Sequence, residues 1–190
     1  MKLLIALLTA LVILPPVGSP VPFTSNGCTG FREKTFFSCC FVHDFAYWSG
    51  GTWTDRRRAD NNLRKCVRDI SHNIPVAYVA FTLVRMTSGT GAMFDFGWGR
   101  AWRNSERSLY APITAVQQQQ IDEERRRVCR GLTLNPATQS YYVDETGPRD
   151  DIRQIRPAQA RQLCGGDLPA AAKLSGLSGL AALDSGATSR

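Results

Sequence analysis

Apolar positions along the chain change period several times, and each change marks an expected element. Leu3–Leu14 is a run of twelve residues in which only Thr9 is polar. Residues 20–35 are rich in turn formers (Pro20, Pro22, Asn26-Gly27, Gly30) and read as an irregular loop. Phe36–Trp48 is aromatic-rich and helix-compatible, and Ser49-Gly50-Gly51-Thr52 stops it. A second helix then runs to about His72, with Thr54 as N-cap and Asp55 in its first turn. Asp60, Leu63, Val67 and Ile70 share one of its faces at i, i+3, i+7 and i+10. Pro75 opens a third, apolar helix over Ile74–Met86. Residues 88–100 form a glycine- and aromatic-rich loop, and Gln117–Arg130 a charged helix carrying Cys129. Pro169–Arg190, rich in Ala, Gly, Ser and Leu, reads as a mobile tail. The expected fold is mainly α: a disulfide-linked antiparallel helix pair with an additional helix, long loops and that tail.

The amino-terminal run changes the cysteine reading. Lys2, the short apolar stretch and Pro15-Pro16-Val17-Gly18-Ser19 have the layout of a secretory signal peptide, assigned to residues 1–20. A membrane anchor would need about 20 apolar residues. The expected location is therefore secreted or periplasmic, where six cysteines favour three disulfides. Zinc would want paired C-x-x-C or H-x-x-x-H ligands, and the sequence has neither.

Removing Lys2 leaves 22 basic against 16 acidic residues, a formal charge of +6. Such a protein is drawn to anionic surfaces such as phospholipid headgroups. Arg56-Arg57-Arg58 and Arg125-Arg126-Arg127 carry much of the charge and read as solvated helix faces. Nucleic-acid binding would rest on net charge alone and is not expected.

The chemistry concentrates in Cys39-Cys40-Phe41-Val42-His43-Asp44-Phe45-Ala46-Tyr47. On a helix Cys40, His43 and Tyr47 share a face, and Asp44 is rotated by about 100° from His43. The turn to the next helix is short, so the two helices pack antiparallel. Counted from that turn, His43 lies about 7 Å along one helix and Asp60 about 9 Å along the other. The same register brings Cys39 and Cys66 within disulfide range. A His oriented by a buried Asp is a general base with a fixed tautomer. No nucleophile other than water is evident. Asp44 is a hard oxygen ligand facing the loop Asn26-Gly27-Cys28-Thr29-Gly30, and carboxylate with backbone oxygen is calcium chemistry. Asn26 is a candidate for one extra side-chain oxygen. His72, with Asp69 one turn back, reads as an ordinary surface pair.

Cys39-Cys40-x-x-His43-Asp44-x-x-Tyr47 resembles the active-site helix of the secreted phospholipases A2, in the form found in short microbial-type members. Asp60 with Cys66 six residues on resembles the second helix of that family, and Gly27-Cys28-Thr29-Gly30 a reduced calcium loop. The likeness runs from Asn26 to Cys66. It implies calcium-dependent hydrolysis of the sn-2 acyl ester of glycerophospholipids at a membrane or micelle surface. By that likeness His43 is the base, Asp60 its partner and Tyr47 a supporting hydroxyl. Asp44 holds Ca²⁺ with carbonyl oxygens of Gly27 and Thr29. Cys28 pairs with Cys40 and Cys39 with Cys66, which leaves Cys129 for Cys164. The implied layout is a catalytic domain over 21–135, an extension over 136–168 and the tail from 169, in a monomer. The competing expectation is a catalytically weak or inactive phospholipase A2-like protein that binds membranes, toxin-like or associated with the envelope. Ile74–Val84 and Phe94, Phe96, Trp98 and Trp102 are candidates for a membrane-docking rim, with core burial as the alternative. Trp48 and Trp53, flanking the turn, are read either as guards of the site or as core.

Overall fold

The computed structural model describes residues 18–28, 33–87, 97–102, 108–143 and 153–168. The expected signal segment up to residue 17, Thr29, Gly30, Phe94, Phe96 and the expected tail from residue 169 lie outside these residues.

The described chain is mainly helical. Helix α1 (Glu33–Ser49) and helix α2 (Trp53–Ser71) are joined by the glycine turn, and α3 (Ile74–Thr87) follows. Helix α4 spans Ala115–Arg130 and α5 spans Pro157–Cys164, with 3₁₀ turns at Arg100–Trp102 and Gly165–Asp167. Three short strands had not been expected: β1 (Leu132–Asn135), β2 (Ser140–Val143) and β3 (Gln154–Ile155). They form an antiparallel sheet in the order β1-β2-β3.

Local chemistry corrects the start of α2. Its N-cap is Thr52, not Thr54. The Thr52 hydroxyl accepts from the Asp55 N–H while the Asp55 carboxylate accepts from the Thr52 N–H, a reciprocal capping box. Gly51 makes room for it. A Cβ there would lie 2.8 Å from the Asp55 carboxylate, and its φ of 131° also favours glycine. At the other end His72 adopts the left-handed conformation as C-cap, while Asp69 pairs with Lys65 and Arg68.

Two cores flank α1. One gathers Phe36, Leu63, Val67, Ala77 and Ala80 between α1, α2 and α3 around the Cys28–Cys40 and Cys39–Cys66 disulfides. The other gathers Phe23, Phe37, Phe41, Phe45, Trp48, Trp102 and Ile121. Residues 136–168 contribute Ile155, Ala160, Leu163 and Cys164 to this second core, and Cys164 is bonded to Cys129. All six cysteines are therefore paired.

Three indoles fix the turn side of α1. Trp48 Nε1 donates to the Val21 carbonyl at 2.6 Å, Trp98 Nε1 to Gly51 at 3.0 Å and Trp102 Nε1 to Ser49 at 2.9 Å. Trp48, Trp98 and Trp102 are core residues, whereas Trp53 is exposed. No helix among the described residues is long and apolar enough to cross a membrane.

Candidate active site

The site grows from adjacent residues of α1. His43 and Tyr47 lie one turn apart and face α2, with ring centroids 4.2 Å apart. On α2, Asp60 is fully buried. Its Oδ1 lies 3.1 Å from His43 Nε2 and accepts the Tyr47 hydroxyl at 2.7 Å. Its Oδ2 accepts from Arg85 Nη1 at 3.1 Å. Desolvation alone would raise this carboxyl, but the hydrogen bonds from His43 and Tyr47 and that of Arg85 hold it below its ordinary value. Asp60 is thus an anion ready to receive the His43 N–H. With Nε2–H turned to Asp60, Nδ1 is left as the proton acceptor. Burial and the neighbouring Asp60 charge push the Tyr47 phenol far up, so it remains a donor.

Two arginines in this network had no signal in the sequence. Arg85 comes from α3, far outside the His-Asp motif, and stacks over Trp53 and Phe81. Arg56 belongs to a run read as a solvated face, yet it is only 2% exposed. Its position alternates inward with Ala59 and Asp60, and it donates to the hydroxyls of Tyr47 at 3.2 Å and Tyr110 at 2.5 Å. Arg57 and Arg58 do face solvent. In the second run, Arg125 pairs with Asp122 and Arg127 with Glu124.

Asp44 points to the other side of α1, toward the 25–27 segment. Its Oδ2 accepts the Ser25 hydroxyl at 2.6 Å, and the Asn26 N–H also bonds the carboxylate. Gly27 has φ of 66° and donates its N–H to Ser25 Oγ at 3.1 Å. Burial raises the Asp44 carboxyl despite Ser25, His43 and Arg100 nearby. Ser25 escaped the sequence reading because a serine among turn residues is too common to stand out.

No family model, no curated protein and no solved structure matches this chain. The site's meaning therefore rests on its geometry. Among the described residues no group of three His, Cys, Asp or Glu side chains is gathered for a metal. Among the described residues, Asp44 would offer a carboxylate to a cation bound there, with neutral oxygens of the 25–27 segment beside it. That donor set suits a hard ion such as Ca²⁺. The raised Asp44 carboxyl, bonded to a neutral hydroxyl and an amide, is a charge that such an ion would compensate.

A cleft runs beside the dyad. His43, Cys39, Val42, Ala46 and Leu63 line a pocket of about 40 Å³ between α1 and α2. Val42, Ala46, Ala59, Asn62 and Gln162 also border a larger cleft of about 570 Å³, so the two adjoin. Phe45, Trp98, Pro112, Ile113, Ile121 and Leu163 add apolar surface to the larger cleft, and Asp55, Arg58 and Arg125 add charge of both signs. Apolar lining with a few polar groups is the usual character of a small-molecule site.

Proposed function

We propose that this protein is an exported, calcium-dependent phospholipase A2-like hydrolase, cleaving the sn-2 acyl ester of glycerophospholipids through water activated by His43. The observation that carries the reading is the buried dyad, His43 Nε2 to Asp60 Oδ1 at 3.1 Å, with Asp44 next in sequence turned to a different partner. Three disulfides agree with life in an oxidising compartment.

In this mechanism His43 Nδ1 takes a proton from water as its oxygen attacks the ester carbonyl. Asp60 holds the ring through Nε2 and stabilises the imidazolium that forms. Tyr47 and Arg85 keep Asp60 ionised and fixed in place. As the tetrahedral intermediate collapses, the imidazolium returns its proton to the departing alkoxide, giving fatty acid and lysophospholipid. Asp44, with the Gly27 carbonyl and the Asn26 side chain, would hold Ca²⁺; Thr29 completes the expected set outside the described residues. The ion, when bound, supplies positive charge to the substrate phosphate and to the growing carbonyl oxyanion. The adjoining clefts offer an apolar wall for the acyl chain.

A second reading, a membrane-binding protein with little or no catalysis, draws on one observation. Asp44 is met by hydrogen-bond donors from Ser25 and Asn26, which a bound cation would have to displace. Fatty-acid release from mixed phospholipid vesicles decides between the two. The mature, oxidised protein is assayed with millimolar Ca²⁺ and with EGTA, beside His43→Ala. Release that requires both calcium and His43 is the expected result. Equal silence of wild type and variant, with vesicle binding retained, would favour the second reading.

A further inference from the structure

Helix α3 has an inner and an outer face of different purpose. Ala77 and Ala80 are buried inward against Leu63 and Val67, with Val76 and Val84 half-buried beside them. The outer positions Ile74, Pro75, Tyr78, Val79, Thr82, Leu83 and Met86 are exposed. They recur in pairs every four residues, so they form one continuous stripe about 20 Å long. All but Thr82 are apolar. Ile74, Tyr78, Val79 and Met86 are between 51% and 76% exposed. Scattered apolar residues are ordinary on a surface, but a contiguous stripe along a whole helix marks an interaction site.

The border of the stripe identifies its partner. Arg64 of α2 lies over the rings of Tyr78 and Phe81, at 5.1 and 5.4 Å. Arg57 and Arg68 stand at i−7 and i+4 from Arg64, on the same face of α2, and both are exposed. Helix α3 contains no acidic residue. On α2, Asp60 is buried, and Asp55 and Asp69 sit on other faces of the helix. Arg68 shares Asp69 with Lys65, which leaves Arg57 and Arg64 as the cations at the edge of the stripe. An apolar stripe edged by cations complements a surface with an apolar interior and anionic headgroups.

We infer that the outer face of α3 docks this protein on anionic phospholipid surfaces, with Arg57 and Arg64 engaging the headgroups. This deepens the lipid-hydrolysing reading and rests on it for its purpose, though the docking itself is measured without catalysis. Arg85, on the same helix, reaches inward to Asp60, so the docking helix also touches the dyad.

The test is co-flotation with vesicles of phosphatidylglycerol and of phosphatidylcholine, comparing wild type with Val79→Glu/Met86→Glu and with Ile74→Ser/Met86→Ser. Wild type is expected to float with the anionic vesicles, less so at high salt, with a blue shift in tryptophan emission from the exposed Trp53. Each double variant is expected to weaken binding at least about tenfold, since two exposed apolar side chains lose their burial in lipid. Because these side chains project outward, melting temperatures should be unchanged. Arg57→Glu/Arg64→Glu should abolish the preference for anionic vesicles. Flotation of both apolar-face variants like wild type overturns the inference. So does a wild type that binds no vesicle but forms a dimer that the variants break, which would make the face a self-association surface. Release of fatty acid from monomeric short-chain phospholipid separates the two ideas. Catalysis without docking sinks this inference alone, and docking without catalysis sinks the hydrolase alone.

Discussion

On one side of α1, His43 and Tyr47 meet an α2 aspartate that a guanidinium of a third helix, α3, also holds. On the other side, one residue along, Asp44 is hydrogen-bonded to a serine and an amide of an irregular segment, with Arg100 nearby. The first arrangement is fixed by helix packing and the Cys39–Cys66 crosslink. The second depends on a loop tied to α1 through Cys28–Cys40. Burial acts on both carboxyls in the same direction, yet Asp60 ends below its ordinary value and Asp44 above it. The difference lies in what each carboxylate is given. Asp60 receives direct hydrogen bonds from an imidazole, a phenol and a guanidinium, whereas the bonds to Asp44 come from a hydroxyl and a backbone amide, and burial outweighs them. Under the function proposed above, a cation bound at Asp44 would supply the charge that Asp60 already has from Arg85.

The comparison breaks most visibly at the dyad. His43→Ala should lower fatty-acid release by about 100-fold to 10,000-fold, with circular dichroism unchanged. Asp60→Ala leaves Arg85, Tyr47 and His43 without their common acceptor. It should cost about 3 kcal/mol in urea unfolding, the lower end for a broken ion pair because Arg85 reaches solvent. Arg85→Gln keeps a hydrogen-bond donor without the charge and should cost about 1–2 kcal/mol.

On the loop side the expected effects are smaller and opposite in sign. Asp44→Asn removes a charge disfavoured by burial, so in EGTA it should unfold no earlier than wild type. Calcium should raise the wild-type melting temperature and leave the variant's where it is. A variant that calcium still stabilises would move the metal site elsewhere. The smallest contrast is in acid. The stability that ionised Asp60 contributes is fully present above its unfolded value, near pH 4, and is lost as pH falls through its lower folded value. Asp60→Asn should therefore flatten the acid limb of the unfolding curve.

Much of the dyad side was legible because it obeys helical counting. A short turn and antiparallel packing place His43 opposite Asp60 and Cys39 opposite Cys66 without knowledge of the rest. The same counting misplaced the N-cap by two residues, since Thr52 and Thr54 are equally plausible until Asp55 is seen closing the box. Arg56 was hidden inside a basic run whose neighbours do face solvent. Arg85 was hidden because tertiary packing, not spacing, delivers it to Asp60. The β1–β2 hairpin left a faint trace in Leu132–Asn135, the turn after Pro136, and Tyr141-Tyr142-Val143. Strands of four residues are too short for alternation to rise above their surroundings. The pairing of Cys129 with Cys164 came by remainder, and its consequence, one core shared with residues 153–168, could not be read from the sequence.

The neighbouring half-cystines Cys39 and Cys40 also bear on how the protein is made. Their partners lie on opposite sides in sequence, 27 residues ahead and 12 behind. The shorter loop closes at the lower entropic cost and can form before α2 has been synthesised. The longer one must wait for the helices to meet. Until then Cys39 is a spare thiol beside a finished disulfide, well placed to attack it and trade partners. Maturation of this fold thus calls for an oxidising environment that also corrects mistakes, and a cell lacking a disulfide isomerase should yield a mixture of isomers.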